Sequence, residues 1–583
     1  MNASTSIAST SSSLSPSSNI ASLKPLRPLK LDASGQDWLA RILLLLTALF
    51  LIVFLLVPMS AMLLRAIQDN DCNFVGLLHF KEMLATPAIG TSIWNSVWVS
   101  LVTTIITVPL AFAFAYGLTR SNMPFKSGFR LLALVPLLAP SLLSALSLIQ
   151  WFGNQGFAKV LLMGHSVYGP IGIILASVYN TFPHALMILI TSLALADGRL
   201  YEAADSLKAT TIRKFFTVTL PGCKYGLISA ATVVFIYVIA DFGAPKVIGG
   251  NFNVLAVEVF KQVIGQQNFS RGAVIGLFLL LPSIISFLVD NNVRKKLKAQ
   301  LSARSVAYVA KPNFKFDAIM FVYCSFIGLF FLAIIGMAIF TSLIALWPYN
   351  LSFTLKHYEF VLIEGDVAPA FFNSLKMSFM TAFFGTITVF ITAYLLEKTK
   401  TWPALKGGMH LLAMGSMAVP GIVLGLGYIM FFNSASNPLG FLYGSMAILV
   451  LANIVHYYTS SHLTAVTALK SIDDEFESVS ASLKVPFYKT FFRVTVPVCL
   501  PAILDIGRYF FVVSMSTLSC IVFLYSPDTL LAAVAIMNLD EAGEIGPAAA
   551  LACMSVYASF LVCVLYAAIT KVWLTKTQGW RTR

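Results

Sequence analysis

The sequence predicts an all-α polytopic membrane protein whose twelve transmembrane helices form two six-helix halves. Three observations carry this expectation. Hydrophobic residues make up 58% of the 583 and charged residues only 11%, against roughly 25% charged in ordinary soluble domains. The apolar residues arrive in runs such as 42–64, and a helix rising about 1.5 Å per residue needs only ~20 of them to cross a bilayer core. The chain also repeats itself. Residues 206–221, SLKATTIRKFFTVTLP, match 482–497, SLKVPFYKTFFRVTVP, at eight of sixteen positions with an offset of 276.

Residues 1–37 form a Ser-rich tail, expected to be disordered. A cleaved signal peptide is not expected, because the first apolar run is longer than the ~7–15 residues such peptides carry. The spans then follow at 42–64, 93–118, 131–152, 170–196, 226–247, 272–289, 317–347, 373–396, 409–432, 443–469, 502–525 and 546–569. Each can satisfy its own backbone hydrogen bonds as a helix, which lipid requires. The expected organisation is therefore a tail (1–37), a first span with its outer loop (38–90), a first domain (91–290), a basic linker (291–316), a seventh span with its outer loop (317–368), a second domain (369–569) and a basic tail (570–583). Asn95-Ser96 and Asn373-Ser374 open the second and eighth spans, and Pro140 and Pro420 interrupt the third and ninth. Those echoes extend the duplication beyond the matched loops.

Lysine and arginine set the orientation. Most of the 39 basic residues fall in the alternate loops and tails on the side of the amino terminus. The loop 526–545 on the other side carries Asp528, Asp540, Glu541 and Glu544 and no basic residue. Both termini are thus expected in the cytoplasm. The +14 net charge is a topology signal, and a nucleic-acid partner is excluded. The seven cysteines include no C-x-x-C pair, so neither a disulfide framework nor a zinc site is indicated.

The loop between the fourth and fifth spans is patterned. Ala203, Ala204 and Leu207 lie at helical spacing, and Ile212, Phe215 and Phe216 form a second apolar face before Leu220-Pro221 ends it. Two short amphipathic helices on the cytoplasmic surface need a partner to bury against. These residues resemble the EAA loop of ABC importer permeases: Glu202-Ala203-Ala204, the turn at Lys208, Val218 and Leu220-Pro221. Their counterparts in the second half are Ser478-Val479-Ser480, Lys484, Val494 and Val496-Pro497. The family has Gly at the turn where both halves have Lys, and the second half has Glu477 one residue early.

The resemblance implies a type I permease fold with two fused six-helix halves in a bacterial inner membrane. It implies a periplasmic substrate-binding protein and two copies of an ATP-binding subunit as partners. It also assigns coupling to that subunit to Glu202, Ala203, Ala204, Leu207, Lys208, Leu220 and Pro221, with Glu477, Leu483, Lys484, Val496 and Pro497. The stretches 182–187, 241–253 and 262–269 resemble fused permeases for 2-aminoethylphosphonate; permeases for ferric iron, thiamine or polyamines are the alternatives. No Gly-Lys dipeptide occurs, so a P-loop is absent, the chain is not expected to be an enzyme, and ATP is expected on the partner.

Intramembrane polar residues are the pathway candidates. Asp241 lies toward the outer end of the fifth span, where it either meets substrate or pairs with Lys246 at a helix end. Asn180 and His184, one turn apart on the fourth span, either line the pathway or make an interhelical contact. Asp505 and Arg508 suit a structural i,i+3 pair. His456 and His462, six apart, do not suit a metal on one helix face. Residues 254–264 either meet a binding protein or cap the bundle. An ion-coupled secondary transporter is the reading from another class. It expects a buried acidic relay, for which Asp241 is the only deep candidate.

Overall fold

The computed structural model describes residues 35–69, 73–300, 308–364, 367–399, 403–434, 437–473, 475–483 and 485–577. The described residues are almost wholly helical. The exception is one antiparallel pair of strands, Ile344–Leu346 and Asn350–Phe353, after the seventh span. The protein is an all-α polytopic membrane protein. Among the described residues, nine helices are long and apolar enough to cross a bilayer: Trp38–Arg65, Pro87–Arg120, Pro170–Ala194, Thr211–Ala240, Phe269–Arg294, Phe314–Ser342, Ala368–Lys398, Phe487–Ser516 and Ile545–Thr575. Their outward faces are bare leucine, isoleucine and phenylalanine, as at Leu46, Ile105, Ile285, Phe326 and Phe383, the surface a hydrocarbon solvent favours.

Three of the twelve expected spans are not straight. The third is the pair Lys126–Leu138 and Ser141–Phe152, bent by 102°, and the ninth is Leu405–Ala418 and Gly421–Phe432, bent by 110°. Pro140 and Pro420 make both bends. Each proline holds its predecessor, Ala139 or Val419, in an extended conformation and caps the helix that follows. The tenth span is broken at Tyr457, between Met446–His456 and Tyr458–Lys470. The fifth stops at Ala240, short of the expected 247, and Gly243–Ile248 is a separate helix. The seventh gives way to the strand pair after Ser342.

Pro221 and Pro497 were expected to end their loops, and the structure corrects this. Both sit in the first turn of a continuing helix, just after the wide turns Phe215–Thr219 and Phe491–Thr495. A proline there lacks only an N–H that the widened turn does not need. The second amphipathic segment of each loop is therefore the start of the fifth or eleventh span.

The duplication is structural as well as sequential. Asn95 Nδ2 donates to Asn253 O (3.0 Å), and Ser96 Oγ accepts from Leu255 N–H (2.7 Å). In the second half Asn373 Nδ2 donates to Leu530 O (3.1 Å), and Ser374 Oγ accepts from Ala532 N–H (2.8 Å). The repeated Asn-Ser thus ties down the start of the short helices Leu255–Phe260 and Ala532–Glu541. Four of the six residues of the first of these, Leu255, Ala256, Val257 and Val259, are buried.

The halves also embrace. Tyr428 of the second half donates to Phe54 O of the first span (2.7 Å). The seventh span packs on the first half, where Trp151 Nε1 donates to Ala333 O (2.9 Å) and Tyr323 OH to Leu110 O (2.8 Å). Asp505 and Arg508 make their expected pair, at 3.1 Å.

Candidate functional site

The two patterned loops lie at the end of the bundle where the basic segments gather. In the first, Asp197 accepts from Arg199 N–H (3.1 Å) and starts the helix Gly198–Ser206. Tyr201 faces inward and its hydroxyl donates to Thr219 Oγ1 (2.9 Å). Buried Arg120 donates to Leu193 O (2.8 Å), and its guanidinium lies over Tyr201 (4.8 Å) and over Tyr308 of the linker (4.4 Å). Asp205 accepts from Lys214 and from Lys311 (2.8 Å). Those hydrogen bonds hold its carboxyl down to about 2, and Asp205 in turn raises Lys311.

The outward side of this loop is apolar and unpaired. Leu200, Leu207, Ile212 and Phe216 are exposed, Leu207 by 82%, with Glu202 and Ala203 beside them. Lys208 holds a φ of 52°, the left-handed turn where the resembled loops have glycine. The second loop repeats this face at the same offset with exposed Phe476, Leu483, Tyr488 and Phe492, and a groove runs beside it between Phe476 and Arg493. Ala204, Leu220, Val496 and Pro497 are half-buried and Pro221 is exposed. Lys484 lies outside the described residues.

Glu477 is the site residue that the structure moves. It was expected to transmit force outward in place of Glu202. Its side chain instead points inward to Lys398 (3.6 Å), which is 4% exposed and donates to Ile472 O (3.0 Å). In the repeat register Glu477 corresponds to Tyr201, and Ser478 stands exposed where Glu202 is. The reason is angular: one residue along a helix turns a side chain by about 100°.

Between the halves is a cavity of about 240 Å³. The two bends contribute Pro136 to Ser141 and Ser416 to Gly421. The fourth span contributes Ser177, Asn180 and His184, and the break at Tyr457 contributes His456 and Tyr457. The fifth and eleventh spans add Tyr237, Asp241, Tyr509 and Thr517. All three pathway candidates therefore meet in one place. Asp241 accepts from Gly243 N–H (3.1 Å). Its expected alternative partner, Lys246, instead reaches Glu541 of the second half (2.8 Å). The rings of His184 and Tyr237 are 4.4 Å apart, and those of His456 and Tyr457 4.5 Å.

His456 and the three tyrosines were not picked out from the sequence as pathway residues. The offset of 276 carries Asn180 onto His456 and Asp241 onto Thr517, so the register could have found His456, though not the tyrosines. His462 lies away from the cavity wall, stacked on Tyr458 (5.7 Å). Among the described residues, no three His, Cys, Asp or Glu side chains converge as metal ligands would.

Residues 107–299 match the family described as the binding-protein-dependent transport system inner membrane component. The chain is similar to the ferric transport system permease protein FbpB of Actinobacillus pleuropneumoniae, at 26% identity over 79% of this chain and 68% of that protein. It is similar to the Fe(3+)-transport system permease protein FbpB 2 of Haemophilus influenzae, at 23% identity over 83% of this chain and 89% of that one. The spermidine/putrescine permease PotB of Haemophilus influenzae matches 43% of this chain over 93% of its own length, at 25% identity, as a single half would. With its duplicated helices, paired loops and central cavity, the chain is similar to inner-membrane permease subunits of the ABC-importer type, which are transport components rather than enzymes and work with an ATP-binding subunit and a substrate-binding protein.

Proposed function

We propose that this permease moves ferric iron, and that its basic loops face the cytoplasm. The observation that carries the substrate is the charge of the cavity. Among the described residues that line it, Asp241 is the only acid, and no lysine or arginine is present. Such a wall favours a cation and offers an anion no counter-charge. Similarity to ferric permeases runs through both halves and supports the same choice. 2-Aminoethylphosphonate is the second reading, supported by the resemblance of 241–253, which begins at the cavity wall; its ammonium end suits Asp241, but its phosphonate end meets no base.

Closure of two ATP-binding subunits would draw the exposed faces at Leu207 and Leu483 together and rock the halves about the cavity. The test is uptake by proteoliposomes holding the permease, its ATPase and its binding protein. Wild type should import ferric iron only with ATP. Charge reversal at Glu202, or a glycine inserted within 202–208, should abolish uptake with membrane insertion intact. Normal uptake in those variants, or uptake driven by a proton gradient without the ATPase, would overturn the proposal.

A further inference from the structure

Buried polar groups in folded proteins are nearly always hydrogen-bonded, so a cluster without partners calls for an explanation. Ser177 Oγ, Asn180 Nδ2 and His184 Nδ1 from the first half, and His456 Nδ1 from the second, are buried and have none. All four residues line the cavity between the halves. Asp241 stands on the same wall at the break between Ala240 and Gly243, anchored to Gly243 N–H.

We propose that this cavity is a transit site, in which a partly dehydrated hard cation pauses against the Asp241 carboxylate while imidazole, amide and hydroxyl groups from both halves replace its lost water. This rests on the reading of the chain as a cation importer. One fixed negative charge among neutral donors suits passage, because a site on a pathway must bind weakly enough to release. The absence of three converging His, Cys, Asp or Glu ligands among the described residues agrees with that. The site is also lopsided. Thr517 occupies the position of Asp241 in the second half and lines the same cavity, so the charge can be moved across the pseudo-symmetry without leaving the wall.

That symmetry supplies the test. D241N keeps an acceptor for Gly243 N–H and removes only the charge; D241N/T517D returns a charge from the other half. Two readouts are used on the full-length permease. Terbium(III) alone, added to the purified protein, should show luminescence sensitised by the tyrosines around the cavity, lost in D241N and recovered in the double variant. Iron uptake in the complete proteoliposomes should fall about tenfold or more in D241N and recover in the double variant. Equal luminescence in all three proteins, or D241N uptake equal to wild type, overturns the site. If wild type imports no iron while the terbium signal follows the charge, the ferric reading fails and the cation site stands.

Discussion

Two small residues set how closely the bent helices approach their neighbours, and they exchange places between the halves. In the first half Gly243, after the fifth span, faces Ser141 of the bend; in the second, Gly421 of the bend faces Ser519. A Cβ on either glycine would stand 2.3 Å from the opposing serine Oγ. The two contacts are not equally forgiving. Ser141 Cβ would be 3.5 Å away, so its hydroxyl can turn aside, whereas Ser519 Cβ would be 3.2 Å away with His456 Nε2 at the same distance. Gly421→Ala should therefore lower stability by about 1–3 kcal/mol and Gly243→Ala by less. Adding Ser519→Gly to Gly421→Ala should restore most of the loss. Thermal unfolding of the purified permease in detergent checks this, and an additive double variant would contradict the packing argument. The sequence contains all four residues, yet the exchange shows only once the fold brings bend and span together.

The two patterned loops were legible as elements because an amphipathic pattern and a repeat survive in one dimension. Their anchoring was not, because it depends on which side of a helix a charge falls. The first loop is held by Arg120 between Tyr201 and Tyr308, and the second by the Lys398–Glu477 pair at equivalent positions. Reading Glu477 as a displaced Glu202 matched the residue type and missed the face. The bends in the third and ninth spans were half-legible: the prolines mark where the chain turns, but not that it turns through more than 100°. The anchors differ in what they depend on. A stacked guanidinium in a desolvated site is worth about 2 kcal/mol, and the first loop draws part of this from the linker. Tyr308→Ala should loosen the first loop alone, with faster tryptic cleavage at Arg199 and Lys208 and unchanged cleavage at Lys489. Equal loosening of both loops, or of neither, would refute a linker clamp on the first.

Across the whole molecule, the end opposite the patterned loops is bridged by Lys246 of the first half reaching Glu541 of the second, with Phe260 against Phe523 (6.2 Å) beneath. The proposed rocking of the halves would have to break that contact, which would make it a latch. Lys246→Glu should repel Glu541 and lower uptake, and Lys246→Glu with Glu541→Lys should restore it. Beside the latch, Asp540 is pushed up to about 6, first by burial and then by Glu541, against the pull of Lys246. An acid raised in the folded state holds a proton there that the unfolded chain has released, so stability falls as pH rises from about 4 through about 6. Ionised Asp540 adds a second negative charge beside Glu541, and mild acid removes it. The permease should thus unfold at a higher temperature at pH 5 than at pH 7. Asp540→Asn should flatten that dependence while sparing the charge-swap behaviour of the latch. A wild-type slope that persists in Asp540→Asn would place the proton on another group.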